Sequence, residues 1–141
     1  MREAVVMADR PRVLLVDDTD LASIRMMIDD REFDVVGTAT NGQAALDVAK
    51  ATEFDVAIVD YRMEGMDGVE TAERLKGLRP GAKVIILTSY DVRDVVGQSP
   101  HVDHYHEKIA AESLPEAIVQ LFSPTESPKP GRERSRFGRR R

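Results

Sequence analysis

Short apolar runs, each closed by a polar residue, alternate along this chain with stretches whose apolar positions recur every three or four residues. The first run is Val13–Val16, and it ends in the pair Asp17-Asp18. Thr19 or Asp20 then caps a helix whose apolar face is Leu21, Ile24, Met27 and Ile28. Phe33–Thr38 reads as a short second strand, and Asn41-Gly42 turns the chain into a second helix carrying Ala45, Leu46 and Ala49. A third strand, Val56–Val59, ends at Asp60. Asp67-Gly68 opens a helix with Val69, Ala72 and Leu75 and a stop near Arg79-Pro80-Gly81. Strand four, Val84–Leu87, ends in Thr88. Val102 to about Tyr105 is a weak fifth strand, and Leu114–Phe122 a last helix that tolerates Pro115 in its first turn. Between Thr88 and Lys108 there is room only for an abbreviated or mobile fourth helix, because Val92, Val95 and Val96 supply little core and Gly97-Gln-Ser-Pro100 breaks the pattern.

β-branched-rich runs buried on both faces are the mark of parallel strands, and alternation with helices predicts right-handed βαβ units in an α/β sheet. Open sheets of that kind bind ligands at the C-terminal ends of their strands. Asp17, Asp18, Asp60 and Thr88 all fall there, so three carboxylates and a hydroxyl meet at one edge. Hard oxygen donors in that number suit a divalent cation and phosphoryl chemistry. Met26, Met27, Met63 and Met66 read as core filler and loop packing.

Charge divides the chain in two. Residues 1–122 hold 13 Lys+Arg against 23 Asp+Glu, a net of −10, while residues 123–141 hold seven against two, a net of +5. The Ser/Pro/Gly stretch at 123–131 has little apolar surface to bury, which predicts a disordered basic tail after a body at 12–122 and an N-terminal extension at 1–11. Such a tail suits an unstructured solubilising role; it is too short for a helix-turn-helix module, so nucleic acid is not the expected partner, and electrostatic binding to nucleic acid or an acidic partner is the alternative. No apolar stretch approaches the ~20 residues of a membrane span. The first ten residues carry too many charges for a signal peptide, so a cytoplasmic location is expected. The absence of cysteine excludes disulfides and thiolate metal sites.

Taken together, Asp17-Asp18, Asp60, the loop Met63-Glu-Gly-Met-Asp-Gly68, Thr88 and Lys108 resemble the receiver domain of bacterial two-component response regulators, the CheY-like superfamily, over residues 12 to about 121. The resemblance implies a doubly wound, flavodoxin-like (βα)5 fold with strand order 2-1-3-4-5. It implies that Asp60 accepts a phosphoryl group from a histidine kinase or a histidine phosphotransfer protein, and that Mg2+ is the cofactor. Asp18, Asp60 and the backbone carbonyl of Arg62 would hold the ion directly, and Asp17 through water. Thr88 and Lys108 would contact the phosphoryl group, with Thr88 and Tyr105 as the switch pair. Arg62 and Tyr90 would flank the path of hydrolytic water and set the lifetime of the phosphoryl group. The chain would then be a stand-alone receiver, a monomer or phosphorylation-dependent dimer. It would catalyse only its own phosphorylation and dephosphorylation, and bind partners through the face formed by the fourth helix, fifth strand and fifth helix.

Two positions depart from the family pattern. The lysine is usually followed by proline through a cis bond, whereas here Ile109 follows Lys108. A cis bond before a residue other than proline costs ~2.5–4 kcal/mol, so a trans or remodelled loop is expected. His106-Glu107 replaces apolar residues, which an edge strand tolerates. His101, His104 and His106 offer a zinc reading, but no fourth ligand of suitable spacing follows, and surface imidazoles on an edge strand account for them. A haloacid dehalogenase-like phosphatase also uses a strand-end aspartate with Mg2+. It needs a second acid two residues on, where this chain has Arg62.

Overall fold

The computed structural model describes residues 10–28, 31–89, 91, 92, 94 and 97–122. Its elements are β1 (Arg12–Val16), α1 (Leu21–Met27), β2 (Asp34–Ala39), α2 (Gly42–Ala51), β3 (Val56–Asp60) and α3 (Gly68–Leu78), then β4 (Lys83–Thr88), β5 (His104–Glu107), a 3-10 helix (Lys108–Ser113) and α4 (Leu114–Leu121). The strands form one sheet in the order β2-β1-β3-β4-β5, parallel at every pairing. This is the doubly wound order expected from the resemblance.

Side-chain alternation along the strands splits the core in two. Leu14, Val16, Ala57, Val59, Val84 and Ile86 pack against Ala45, Leu46 and Ala49 of α2 and Ala72 and Leu75 of α3. On the opposite face Val13, Leu15, Val56, Ile58, Ile85 and Leu87 meet Ile24, Ile28, Phe33, Leu114 and Ile118. Helices on both faces bury every residue of β3. Local signals set the helix starts: Asn41 accepts from the Ala44 amide at 2.8 Å and Asp67 from the Glu70 amide at 2.9 Å. At the N-terminal edge of the sheet, Arg12 clamps Asp55, with its backbone amide at 2.7 Å and its guanidinium nitrogens at 3.1 Å.

Several boundaries differ from the sequence expectation. The fifth strand lies two residues further on: the Asp103 amide still donates to the Val84 carbonyl at 2.8 Å, but the Val84 amide goes to the Asp103 carboxylate, which also ion-pairs with Lys76, both at 2.8 Å, so a side chain takes the place of the ladder bond there. Met26 and Met27 are not core filler: they are 86% and 42% exposed. α1 ends at Met27, and Ile28 reaches the core from an extended backbone, which leaves Met27 at the rim. Met63 and Met66 do pack against the core. The expected fourth helix falls largely outside the described residues, as do Tyr90, residues 1–9 of the extension and the tail 123–141.

The loop after β3 is shaped by two glycines. Gly65 has φ of 82°, a left-handed conformation that side chains resist. The Gly68 amide donates to the Tyr61 carbonyl at 2.8 Å, and a Cβ there would lie 2.6 Å from the Asp60 carbonyl oxygen. Since that neighbour is backbone, Gly68→Ala has to displace the end of β3. We expect a loss of about 1–3 kcal/mol, seen as a fall of several degrees in melting temperature, whereas Gly77→Ala, with open space at its Cβ, leaves stability unchanged or raised.

Candidate functional site

The C-terminal ends of β1, β3 and β4 open on a cleft of about 620 Å3 whose lining includes Asp18, Asp20, Asp60, Arg62, Ser89 and Lys108. Asp17, directly after β1, is 1% exposed. Its Oδ1 accepts from the backbone amides of Thr19 and Asp20, each at 2.9 Å, so the loop curls around the carboxylate. Its Oδ2 is buried without an aligned hydrogen bond and lies 2.8 Å from Lys108 Nζ as an ion pair. Asp18 is exposed. Asp60 closes β3 at 6% exposure, and Lys108 Nζ is 3.6 Å from its Oδ1. Carboxylate oxygens of Asp17, Asp18 and Asp60 all lie within 4.8 Å of one another.

Such crowding has electrostatic consequences. Burial, followed by repulsion from Asp17, raises the Asp60 pKa from 3.8 to about 6, against the pull of Lys108. For Asp17, burial works in the same direction, but the Lys108 ammonium and the two backbone amides outweigh it and its pKa is lowered. Burial alone would lower the Lys108 pKa; Asp17 and Asp20 reverse this and raise it, so the ammonium stays charged.

Thr88 is fully buried at the end of β4. The register sets Leu87 opposite Asp60, which puts Thr88 one residue beyond Asp60 on the adjacent strand. Tyr105 is half-buried against the core, and its hydroxyl accepts from the Val92 amide at 3.4 Å, reaching the segment after β4. Arg62 lines the cleft beside Asp60. Lys108 opens the 3-10 helix instead of ending β5. No cis peptide bond occurs among the described residues, so Lys108-Ile109 is trans, and the ammonium still reaches the carboxylates.

The histidines are held by one another. His106 Nε2 lies 2.8 Å from the Ala110 carbonyl, which only accepts, so Nε2 carries a proton; in the neutral ring Nδ1 then accepts from His104 Nε2 at 3.2 Å. Among the described residues the acids Asp17, Asp18 and Asp60, and not the imidazoles, form the grouping suited to a metal ion. Sequence reasoning missed Asp20 as a site residue. Its Oδ2 is 2.8 Å from Lys108 Nζ, 88 positions away, and only the tertiary fold announces that contact.

A buried aspartate closing the middle strand, two acids after β1, and a lysine spanning them match a known pattern in both sequence and geometry. The family model of the response regulator receiver domain matches residues 13–106. The chain belongs to that family. This receiver is 33% identical over 118 residues to the response regulator protein VraR of Staphylococcus saprophyticus, covering 79% of the chain and 56% of that protein. It is 27% identical over 117 residues to sporulation initiation phosphotransferase F of Bacillus subtilis, covering 79% and 93%. Among solved structures, a signal receiver domain of NarL from Mycobacterium tuberculosis superposes with a TM-score of 0.72 at 28% identity, covering 80% of this chain and 96% of that one. The chain spans about half the length, or less, of several curated relatives it matches, VraR among them. No helix among the described residues is long and apolar enough to cross a membrane.

Receiver domains bind Mg2+ at their acidic pocket, and the donors here fit a hard cation. All three are carboxylates, one Asp17 oxygen is buried without a hydrogen bond, and Asp60 is held uncomfortably close to its neighbours. The raised Asp60 pKa means that its charged form is disfavoured in the folded state. That destabilisation is full above about pH 6, shrinks as pH falls from there, and is gone only below the ordinary value of 3.8, where Asp60 is protonated in both states. In chelator at pH 7.5, Asp60→Asn is therefore expected to stabilise the protein by on the order of 2–3 kcal/mol, several degrees by thermal melting. Repeating the melts at pH 4 should remove most of the gain. A gain independent of pH would place its origin outside the Asp60 charge.

Proposed function

We propose that this receiver is a phosphoacceptor response regulator of two-component phosphorelay signalling, with Asp60 as the nucleophile. The observation that carries the reading is the placement of Asp60: buried at the end of β3, facing the cleft, within reach of Lys108 and in contact distance of two further acids. In the step proposed, an Asp60 carboxylate oxygen attacks phosphorus on a phosphohistidine. The O–P bond forms as the P–N bond breaks, and the imidazole leaves. Asp18, Asp60 and the Arg62 backbone carbonyl would hold Mg2+, with Asp17 behind them. The cation supplies the charge that lets an anionic donor approach a cluster of carboxylates. Lys108 would pair with one phosphoryl oxygen and Thr88 would donate a hydrogen bond to another, with Tyr105 following Thr88 as the switch.

The proposed phosphodonor is a histidine kinase or a histidine phosphotransfer protein. The reading as a stand-alone relay, with no chemistry beyond its own phosphorylation and dephosphorylation, is supported by sporulation initiation phosphotransferase F, of which this chain spans 93%. The proposed location is the cytoplasm, and the proposed output surface includes β5 and α4. A haloacid dehalogenase-like phosphatase is disfavoured by Arg62, which stands where a second acid is required. The basic tail, net +5 against −10 for the rest, favours a second reading in which the receiver regulates binding to nucleic acid or an acidic partner. Salt-sensitive binding of an anionic polymer, lost on deleting residues 123–141, would support it.

Incubation with acetyl phosphate and Mg2+ is expected to add one phosphoryl group by intact mass, absent in Asp60→Asn and in chelator. Asp18→Asn is expected to weaken Mg2+ binding and phosphorylation together; undiminished phosphorylation of that variant in chelator would remove the metal assignment. The lifetime proposal follows from side-chain size. Neither Arg62 nor Tyr90 is a carboxylate or amide able to orient an attacking water, and Arg62 borders the cleft. Slow self-dephosphorylation is therefore expected. Timing phosphoprotein decay checks it: an Arg62→Asn, Tyr90→Glu double variant should decay faster than wild type, and equal decay would exclude shielding.

A further inference from the structure

We propose that Asp20 is a positioning residue that holds the Lys108 ammonium over Asp60, an inference that rests on the phosphoacceptor reading for its functional consequence. Lysine is a poor fixed electrode by itself, being a compact charge on a flexible four-carbon stem. In the family pattern a proline stiffens the chain just after it. Here Ile109 follows and is 88% exposed, so the residue in that place neither fixes the backbone as a proline would nor anchors it in the core. Lys108 is nevertheless mostly buried, with 15% of its side chain exposed, and its Nζ sits 2.8 Å from Asp17 Oδ2, 2.8 Å from Asp20 Oδ2 and 3.6 Å from Asp60 Oδ1. An ammonium has three N–H groups. One donates to Asp20, and the same nitrogen stands beside Asp17 and Asp60 as an ion pair with each.

The two anchors are not equivalent. Asp17 belongs to the group of three carboxylates suited to a cation, whereas Asp20 lies outside it. Charge placed among Asp17, Asp18 and Asp60 weakens the hold of Asp17 on the lysine and leaves that of Asp20 intact. Asp20 is also free of the usual duty of its position. It stands at the N-cap of α1, yet its side chain makes no capping hydrogen bond. Its aim is set by the preceding loop, where the Asp20 amide donates to Asp17 Oδ1 at 2.9 Å and so brings the Asp20 carboxylate across to Lys108. The β1–α1 loop thus supplies both the acids of the pocket and the arm that orients its cation.

The decisive experiment is a double-mutant cycle on the rate of Asp60 phosphorylation by acetyl phosphate in Mg2+, followed by intact mass. Asp20→Ala is expected to slow the reaction by roughly three- to tenfold, a charge-assisted hydrogen bond discounted for the half-exposed Asp20 side chain. Asp20→Asn, which keeps an acceptor oxygen, should recover part of that loss, and the Asp20→Ala, Lys108→Ala double variant should react like Lys108→Ala. A faster reaction on removing Asp20, in either background, would overturn the proposal and make Asp20 a plain repulsive charge. Undiminished slowing in the Lys108→Ala background would overturn it too, since Asp20 would then act without the lysine. A second readout needs no phosphoryl chemistry: labelling of unphosphorylated protein with an amine-reactive reagent, quantified on the Lys108 peptide. Labelling should rise severalfold in Asp20→Ala, and an unchanged rate overturns the anchoring. If wild type gains no phosphoryl group while Lys108 labelling responds as expected, the phosphoacceptor reading fails and the anchor stands.

Discussion

Like charges confined at the edge of a sheet are the constraint on which this molecule is organised. Asp17 and Asp60 are almost fully buried, Asp18 stands beside them, and the Lys108 ammonium is wedged against the first two and Asp20. In a partly dry environment such repulsion is costly, and it persists because the surrounding packing over-determines it. Helices on both faces bury β1, β3 and β4 to their last residues. The reversal of strand order between β1 and β3 opens the crevice into which the acids project. The Thr19 and Asp20 amides steady the innermost carboxylate, and Gly68 lets α3 begin in contact with the Asp60 backbone.

Strand β5 binds the pocket to the edge of the sheet. Glu107 pairs with Thr88, so Lys108 leaves the ladder just past the buried hydroxyl. Within that strand, alternation sends Tyr105 towards the core while His104 and His106 share the other side. The imidazoles pass their hydrogen bonds on to Ala110, and Ser113 Oγ donates to the same carbonyl at 2.9 Å. Polar residues that look misplaced on a fifth strand thus stiffen the turn from which the lysine projects.

Much of this was legible in the chain alone, for identifiable reasons. Runs such as Val13–Val16 and Val84–Leu87 are buried on both faces, so their apolar character is continuous and their ends are marked by the residues that carry the chemistry. Caps at Asn41 and Asp67 act over three residues, a range that sequence reads well. Methionines 26 and 27 misled because a two-turn helix gives too few repeats to define its inward face. The start of β5 was misread because Asp103 makes a side-chain bond to β4 that periodicity does not encode. Asp20 was passed over as a cap because its partner lies 88 positions away.

The clamp between Arg12 and Asp55 bears on how the chain is made. Arg12 begins β1, an interior strand, yet its partner lies 43 positions later and the strand that completes its ladder follows directly. During vectorial synthesis β1 leaves the ribosome long before β3 exists, and β2 covers just one of its two hydrogen-bonding edges. At ~5–20 residues per second, that edge stays open for seconds. The nascent chain therefore passes through a stage at which a strand with four apolar residues in a row is half paired, and the Arg12–Asp55 contact forms only as that stage ends.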